Sequence, residues 1–199
     1  MQQDSDLSNL IKILSKLPSL GSRSAKRIAL HLIKDKEAAM SPLINVLQLV
    51  KNNIKNCKIC HNLDVSEVCS ICSNAKRENS IICVVEEISD LWAMEKAAIF
   101  NGKYHVLGGS LCAMSGRRPE DLNINSLISR IKNSAVQEVI IATNPTIEGQ
   151  TTAYYLLELL KEFDIKISKL ANGIPIGAEL DYLDEGTLDI ALKSRSKFN

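Results

Sequence analysis

Four of the chain's six cysteines fall in one short stretch, "CKICHNLDVSEVCSIC", from Cys57 to Cys72. They form two Cys-x-x-Cys pairs, Cys57/Cys60 and Cys69/Cys72, with eight residues between. Such thiols can be a disulfide framework, a redox pair or a metal site, and the compartment narrows the choice. No apolar run reaches the roughly 18 residues a membrane span needs. The opening "MQQDSDLSNL" carries acids and no hydrophobic stretch before a small-residue cleavage site, so it does not read as a signal peptide. The expected location is therefore the cytoplasm, without membrane contact, where thiols stay reduced. A redox motif needs one pair, usually opening a helix after a strand. Here two pairs lie together in a polar stretch poor in strand formers. The spacing thus predicts a structural, tetrahedral Zn²⁺ site with Cys57, Cys60, Cys69 and Cys72 as ligands. His61 adjoins Cys60, but four thiolates already fill the shell, which makes it a neighbour of the site or a solvent residue. Cys83 sits in an apolar strand and reads as core. Cys112 sits in a loop.

The 199 residues are 45% hydrophobic and 24% charged, with a formal net charge of +1. That length allows one large domain or two small ones, and the balance neither demands nor excludes nucleic acid. Any basic footprint must be local. One is visible in the first 36 residues, where seven Lys and Arg face only Asp4, Asp6 and Asp35. This N-terminal part reads as helical. Leu7, Leu10, Ile11, Leu14 and Leu17 recur at helical spacing until Pro18. A second helix runs from about Arg23 to Lys34, and a third over 41–56 with Ser41 as N-cap and Pro42 at its first position.

After residue 79 the pattern changes. "SIICVVEE" reads as a buried strand and "ISDLWAMEKAAIFNG" as a helix ended by Gly102. Then follow "YHVLGG" (strand and glycine turn), "NINSLISRIKNS" (helix), "VQEVIIATN" (strand), "EGQTTAYYLLELLKEFD" (helix) and "IKISKLA" (strand). Strand and helix alternate, so the class is α/β with a largely parallel sheet. Tyr154 and Tyr155 lie mid-helix as packing or surface residues. The expected division is a helical domain over 1–54, a zinc finger over 55–78, a sheet domain over 79–172 and a C-terminal segment over 173–199.

Two segments carry further chemistry. In "LPSLGSRSAKRIALHL" a Pro/Gly turn joins two helices, and Arg23, Lys26 and Arg27 open the second. Backbone N–H groups at a helix start, with added positive charge, suit a phosphate. The stretch resembles a helix-hairpin-helix, which grips nucleic-acid backbone without reading sequence. The usual hairpin has Gly-apolar-Gly; here Ser19 stands at the first glycine position and Gly21 at the second. A plain αα-hairpin with a solvated basic face fits the same pattern. In the sheet region, Glu86 ends a strand and Asp90 opens the next helix, where carboxylates line a ligand crevice. "ATNPTIEG" repeats that geometry, and the pair resembles the Toprim domain of topoisomerases and primases, whose acids hold Mg²⁺. Type IA topoisomerases read Asp-Pro-Asp-x-Glu-Gly there. This chain reads Asn144-Pro145-Thr146-Ile147-Glu148-Gly149, so both aspartates are gone. Glu86, Asp90 and Glu148 retain charge for a partner contact or a weak Mg²⁺ site, and no catalytic residue is expected. The same acids also suit helix N-terminal capping.

The basic hairpin, four cysteines, "VVEE", "YHVLGG", "ATNPTIEG" and "GIPIGAELDYLDEGTL" occur in that order. Together the chain resembles the RecR family of bacterial recombination mediators over nearly its full length. The resemblance implies a non-enzymatic DNA-repair role in the RecF pathway. The expected activity is to bind DNA and act with RecO and RecF to help load RecA at gapped or single-stranded DNA. It also implies a homo-oligomer, a dimer or a tetrameric ring. The closing segment, called Walker B-like in that family, offers Glu179, Asp181, Asp184 and Glu185 without a P-loop, so ATP hydrolysis is not expected. The chain departs from the family pattern at Ser19 and Ser22, at Asn172, and in "LCAMSGRRPEDL", which adds Arg117 and Arg118. That arginine pair suits a phosphate contact or a solvated loop. The rival reading is a Mg²⁺-dependent Toprim nuclease or a topoisomerase-like enzyme. A protein-interaction module without a DNA role is a third.

Overall fold

The computed structural model describes residues 6–171 and 173–195. The chain divides into two compact units, Met1–Ile54 and Lys55–Asn199.

The first unit is helical. α1 (Asp6–Leu14) stops short of the Leu17 that its spacing predicts. The following turn tightens, with Lys16 N–H donating to Ile13 and Leu17 N–H to Leu14, because Pro18 forces the chain out of the helix. α2 (Ser22–Lys34) follows, then a wide π-type turn, Lys36–Met40, and α3 (Ser41–Asn53). Ser41 is not an N-cap. It already has helical φ/ψ, and the Asp35 carboxylate caps the preceding turn through Ala38 N–H. α3 also ends before 56, since Lys55–Asn56 is drawn into a hairpin. Among the described residues of this unit, only Ala25, Ala29 and Leu32 are buried.

The second unit is built on a four-stranded parallel sheet in the order β4-β3-β5-β6. Its strands are β3 (Ile81–Val85), β4 (Lys103–Val106), β5 (Glu138–Ala142) and β6 (Lys166–Lys169). β3 is central, paired in register from Ile81↔Glu138 to Val85↔Ala142 on one side and Ile82↔Lys103 to Val85↔Val106 on the other. Alternate residues of a strand face opposite ways, and the sheet therefore has two cores. Ile82, Val84, Val139 and Ile141 pack with α6 (Ile124–Lys132) and α7 (Ile147–Leu160) through Leu127, Ile131, Leu156 and Leu160. Cys83, Val85 and Ala142 face the other way, with Tyr104, Val106 and Leu91 of α5 (Ile88–Ala97). Cys57, Cys60, Cys69 and Ile71 belong to this second core. The cysteine segment is thus not a free-standing linker; it covers part of one sheet face. α5 ends earlier than Gly102, through Ala98 in the left-handed region at φ 54°. Gly102 serves another purpose: a Cβ there would lie 2.9 Å from the Ile81 carbonyl. The chain closes with α8 (Glu185–Lys193), capped by Asp184. Asn172 and the tail beyond 195 lie outside the described residues.

Candidate metal centre and nucleic-acid interface

The two Cys-x-x-Cys turns are made differently. The first lies at the tip of a hairpin, β1 (Lys55–Asn56) against β2 (Leu63–Asp64), closed by Cys57 N–H donating to Asn62 at 2.7 Å. His61 completes the turn at φ 63°. The second opens a single helical turn, α4 (Ser70–Ser73), with Cys69 at its N-cap. Asp64 clamps the two together, one carboxylate oxygen accepting from Ser66 N–H and the other from Ser70 N–H, each at 3.0 Å. Those N–H groups hold its carboxyl below the usual range. The sequence reading passed over this residue, although an Asp midway between two knuckles is a common turn former.

The four sulfurs lie within 4.8 Å of one another, with Cys60 and Cys69 Sγ 3.5 Å apart. A tetrahedral ion with Zn–S near 2.3 Å sets its sulfurs roughly 3.8 Å apart. The fit is therefore close. Backbone N–H groups of Cys69 and Cys72 donate to the sulfurs of Cys57 and Cys69, as metal-bound thiolates require. Contact with Cys60, then with Cys72, pulls Cys69 toward the thiolate while Cys60 is driven the other way. Sulfurs packed this tightly cannot all ionise without a cation among them. His61 is no ligand; its Nε2 lies 2.8 Å from Ser126 Oγ and its ring stands edge-on to His105. Zinc, when bound, supplies the cross-link between the two turns.

The acidic residues are arranged otherwise. Glu86, only 6% exposed, accepts from Asn144 twice: from its backbone N–H at 2.8 Å and its side-chain Nδ2 at 2.9 Å. Asn144 thus satisfies both oxygens of the carboxylate. Gly149 allows the approach, since a Cβ there would lie 2.1 Å from the Asn144 carbonyl and 2.6 Å from Glu86 Oε1. Asp90 accepts from Glu87 N–H at 2.9 Å in a capping box. Glu148 is half-buried in the first turn of α7, where Thr146 is the N-cap. Among the described residues, the four cysteines are the sole group of three or more His, Cys, Asp or Glu within metal-binding reach. Glu86, Asp90 and Glu148 do not form such a group. Beside them a cavity of about 650 Å³ opens at the carboxyl ends of the strands, lined by Asp90, Asn144, Leu170, Asp184 and Thr187 among others. Asp184 faces it as a helix cap, its carboxylate held by Thr187.

In the helical unit, Arg23, Lys26 and Arg27 are exposed, and none forms an ion pair among the described residues. Ser19 adopts φ 62°, the left-handed conformation a glycine would take at no cost. Gly21 is the converse. Its φ is −77°, open to any residue, and a Cβ would meet nothing within 4 Å. Nothing among the described residues requires a glycine there. It leaves bare the start of α2, which has no side-chain cap. His31 is on the surface. Arg117 and Arg118 are exposed at the base of a tight loop in which Cys112 and Arg117 exchange two backbone hydrogen bonds.

Comparison with known proteins agrees with these parts in order. The RecR helix-hairpin-helix family matches residues 7–51, the RecR four-cysteine zinc finger domain residues 54–74, the Toprim domain residues 80–171 and the RecR C-terminal family residues 173–196. The chain is 52% identical over 192 residues to the recombination protein RecR of Neorickettsia sennetsu, covering 96% of this chain and 98% of that one. It is 50% identical over 193 residues to that of Chelativorans sp., covering 97% and 96%. To that of Mesorhizobium japonicum it is 51% identical over 193 residues, again covering 97% and 96%. With its helical hairpin, four-cysteine cluster and parallel sheet already in place, the chain belongs to the RecR family of recombination proteins.

Proposed function

We propose that the chain is a DNA-binding mediator of recombinational repair in the cytoplasm, a scaffold rather than an enzyme. The observation that carries this reading is the pair of hydrogen bonds from Asn144 to Glu86. In a Toprim enzyme a divalent ion offsets the charge of this glutamate. Here a neutral amide and a backbone N–H do so, and neither can activate a phosphoryl group. Asp90 is engaged in capping, which leaves Glu148 as the acid with no side-chain partner among the described residues. This arrangement favours the scaffold over the Mg²⁺-dependent nuclease or topoisomerase-like reading. On this reading Glu86 holds the crevice in shape and Glu148 serves partner contact.

DNA is gripped through the hairpin. Bare N–H groups at the start of α2 meet a phosphate, Gly21 lets the backbone approach, and Arg23, Lys26 and Arg27 supply charge. A nearly neutral chain binds backbone weakly alone, so repetition of the patch in an oligomer raises its effect. α3 supports assembly. It buries no residue, and Leu43, Ile44, Val46, Leu47, Leu49 and Val50 are all exposed, apolar side chains that another copy of the chain could cover. Copies of the chain then form the dimer or ring, which works with RecO and RecF to help load RecA at gapped or single-stranded DNA. The test is duplex and single-strand binding against salt concentration. Arg23→Ala with Lys26→Ala should lower the slope of log K against log salt by about 0.9 per lost phosphate contact. Gly21→Ala should weaken binding while leaving the unfolding midpoint unchanged. An unaltered slope removes the hairpin from the interface. Magnesium-dependent strand cleavage by the purified wild type would favour the enzyme.

A further inference from the structure

The first residue of β4 is a lysine buried to 3% exposure, inside the core shared by the cysteine segment and the sheet. Its ammonium donates to three backbone carbonyls: Ile71 at 2.8 Å, Cys72 at 3.1 Å and Asn74 at 2.8 Å. An ammonium has three N–H groups, so all are used, and all on the turn that carries the second Cys-x-x-Cys pair. Yet none of these acceptors is charged, and among the described residues Lys103 forms no ion pair. Of the two arginines near it, Arg77 is paired with Glu95 at 2.5 Å, while Arg130 donates to the Tyr104 carbonyl at 2.7 Å and forms no ion pair among the described residues. A buried charge without a counter-charge is costly even when hydrogen-bonded. The charge that could offset it lies next door. Four thiolates around a divalent zinc carry a net charge of −2, and Cys72, one of the four, is joined to the ammonium through its own carbonyl at 3.1 Å.

We propose that Lys103 is the charge partner of the thiolate cluster, a positioning residue that holds the Ile71–Asn74 turn in ligating geometry and offsets the cluster's negative charge. It does not touch the metal. The coupling is reciprocal: the metal-loaded cluster stabilises a buried ammonium, and the ammonium stabilises the metal-loaded cluster. A second tie fixes the other knuckle to the same strand, since Val106 N–H donates to the Cys60 carbonyl at 2.9 Å. β4 thus grips both cysteine turns, one by a neutral hydrogen bond and one by a cation.

The inference rests on the zinc reading, and the experiment separates the two. The full chain is prepared as wild type, Lys103→Met and Lys103→Gln, with zinc content, zinc affinity by chelator competition, and the thiolate-to-cobalt charge-transfer band after Co²⁺ exchange. Gln keeps amide donors and drops the charge; Met drops both. Both variants should keep a four-thiolate cobalt spectrum and bind zinc about ten- to a hundred-fold more weakly, the usual scale for partners behind a metal ligand. Urea unfolding of the metal-free proteins should show neither variant less stable than wild type, because each removes a buried charge whose counter-charge is gone. Affinity within two-fold of wild type in either variant would overturn the proposal. So would a metal-free variant that no longer folds, which would make Lys103 a framework residue only. A wild type that binds no zinc would instead sink the metal reading itself.

Discussion

Asn144→Asp puts an aspartate back where Toprim enzymes carry one, and its consequences can be worked from the geometry. Wild-type Asn144 gives Glu86 two hydrogen bonds, at 2.8 and 2.9 Å, to a carboxylate only 6% exposed. The substitution keeps the backbone bond and turns the side-chain bond into an oxygen–oxygen contact. Losing a hydrogen bond to a charged group costs about 1.5–3 kcal/mol. Two carboxylates roughly 4 Å apart at an effective dielectric near 20 repel by about 4 kcal/mol. The pair escapes most of that by keeping one proton, which raises one folded-state pKa above its unfolded value. The sign follows: the variant is least handicapped at low pH and loses stability as pH rises through the raised pKa. At pH 8 it should be about 2–4 kcal/mol less stable than wild type, and less so at pH 5.5. A divalent ion replaces the proton. With a Kd near 1 mM, 10 mM Mg²⁺ should restore about 1.4 kcal/mol. The assay is urea unfolding at both pH values, with Mg²⁺ against NaCl of equal ionic strength. Wild type should show no specific Mg²⁺ stabilisation. If wild type gains as much from Mg²⁺ as the variant, the amide does not replace the ion and the case against metal chemistry fails.

Three further outcomes are expected. Ser19→Gly removes a left-handed non-glycine at φ 62° and should raise stability by about 0.5–1 kcal/mol in denaturant unfolding; a loss would show that the serine side chain has a role of its own. His105 donates from Nε2 to the Asn123 carbonyl at 2.8 Å while its Nδ1 is buried without a partner among the described residues, and burial holds its pKa down at about 3. The unfolded chain therefore binds the extra proton below about pH 6.5, and going from pH 7 to 5.5 should cost about 1.2 kcal/mol that His105→Gln does not lose; equal losses in both proteins would remove His105 from the acid response. Zinc removal by chelator, or Cys72→Ser, should raise amide exchange across 55–78 and at Val106 while α6 and α7 stay protected, and unchanged exchange there would mean that the metal holds nothing.

The parts of the fold that are local were legible in the sequence. Cys-x-x-Cys spacing sets a turn within four residues, and the β-branched runs "IICVV" and "EVIIA" set strands whatever surrounds them. Helix ends were less legible. Pro18 ended α1 at Leu14, four residues upstream of itself, Ser41 was overruled by a cap at Asp35, and Ala98 took a conformation that favours glycine. Long-range polar contacts were the least legible. Glu86 and Asn144 meet across 58 residues, and Lys103 reaches carbonyls about 30 residues upstream. A lysine opening the otherwise apolar "KYHVL" was the one visible sign that a buried charge needed a partner.

Both polar sites in the second unit answer one physical problem, a buried charge on a small sheet, in opposite ways. The thiolate cluster concentrates negative charge and requires a cation. Its shape therefore depends on metal, and β4 carries that dependence into the sheet through Cys60 and Cys72. At the carboxyl ends of the strands, Glu86 is the one deeply buried carboxylate among the described residues, and fixed N–H groups already match both its oxygens. An enzyme of this fold needs the second arrangement to be incomplete, because an unsatisfied carboxylate is what recruits Mg²⁺. A scaffold needs it complete, since partners must meet the same surface whatever the ionic conditions. Asn144 and Gly149 are the two residues that complete it. Their replacement should move the protein toward metal binding before it moves it toward catalysis.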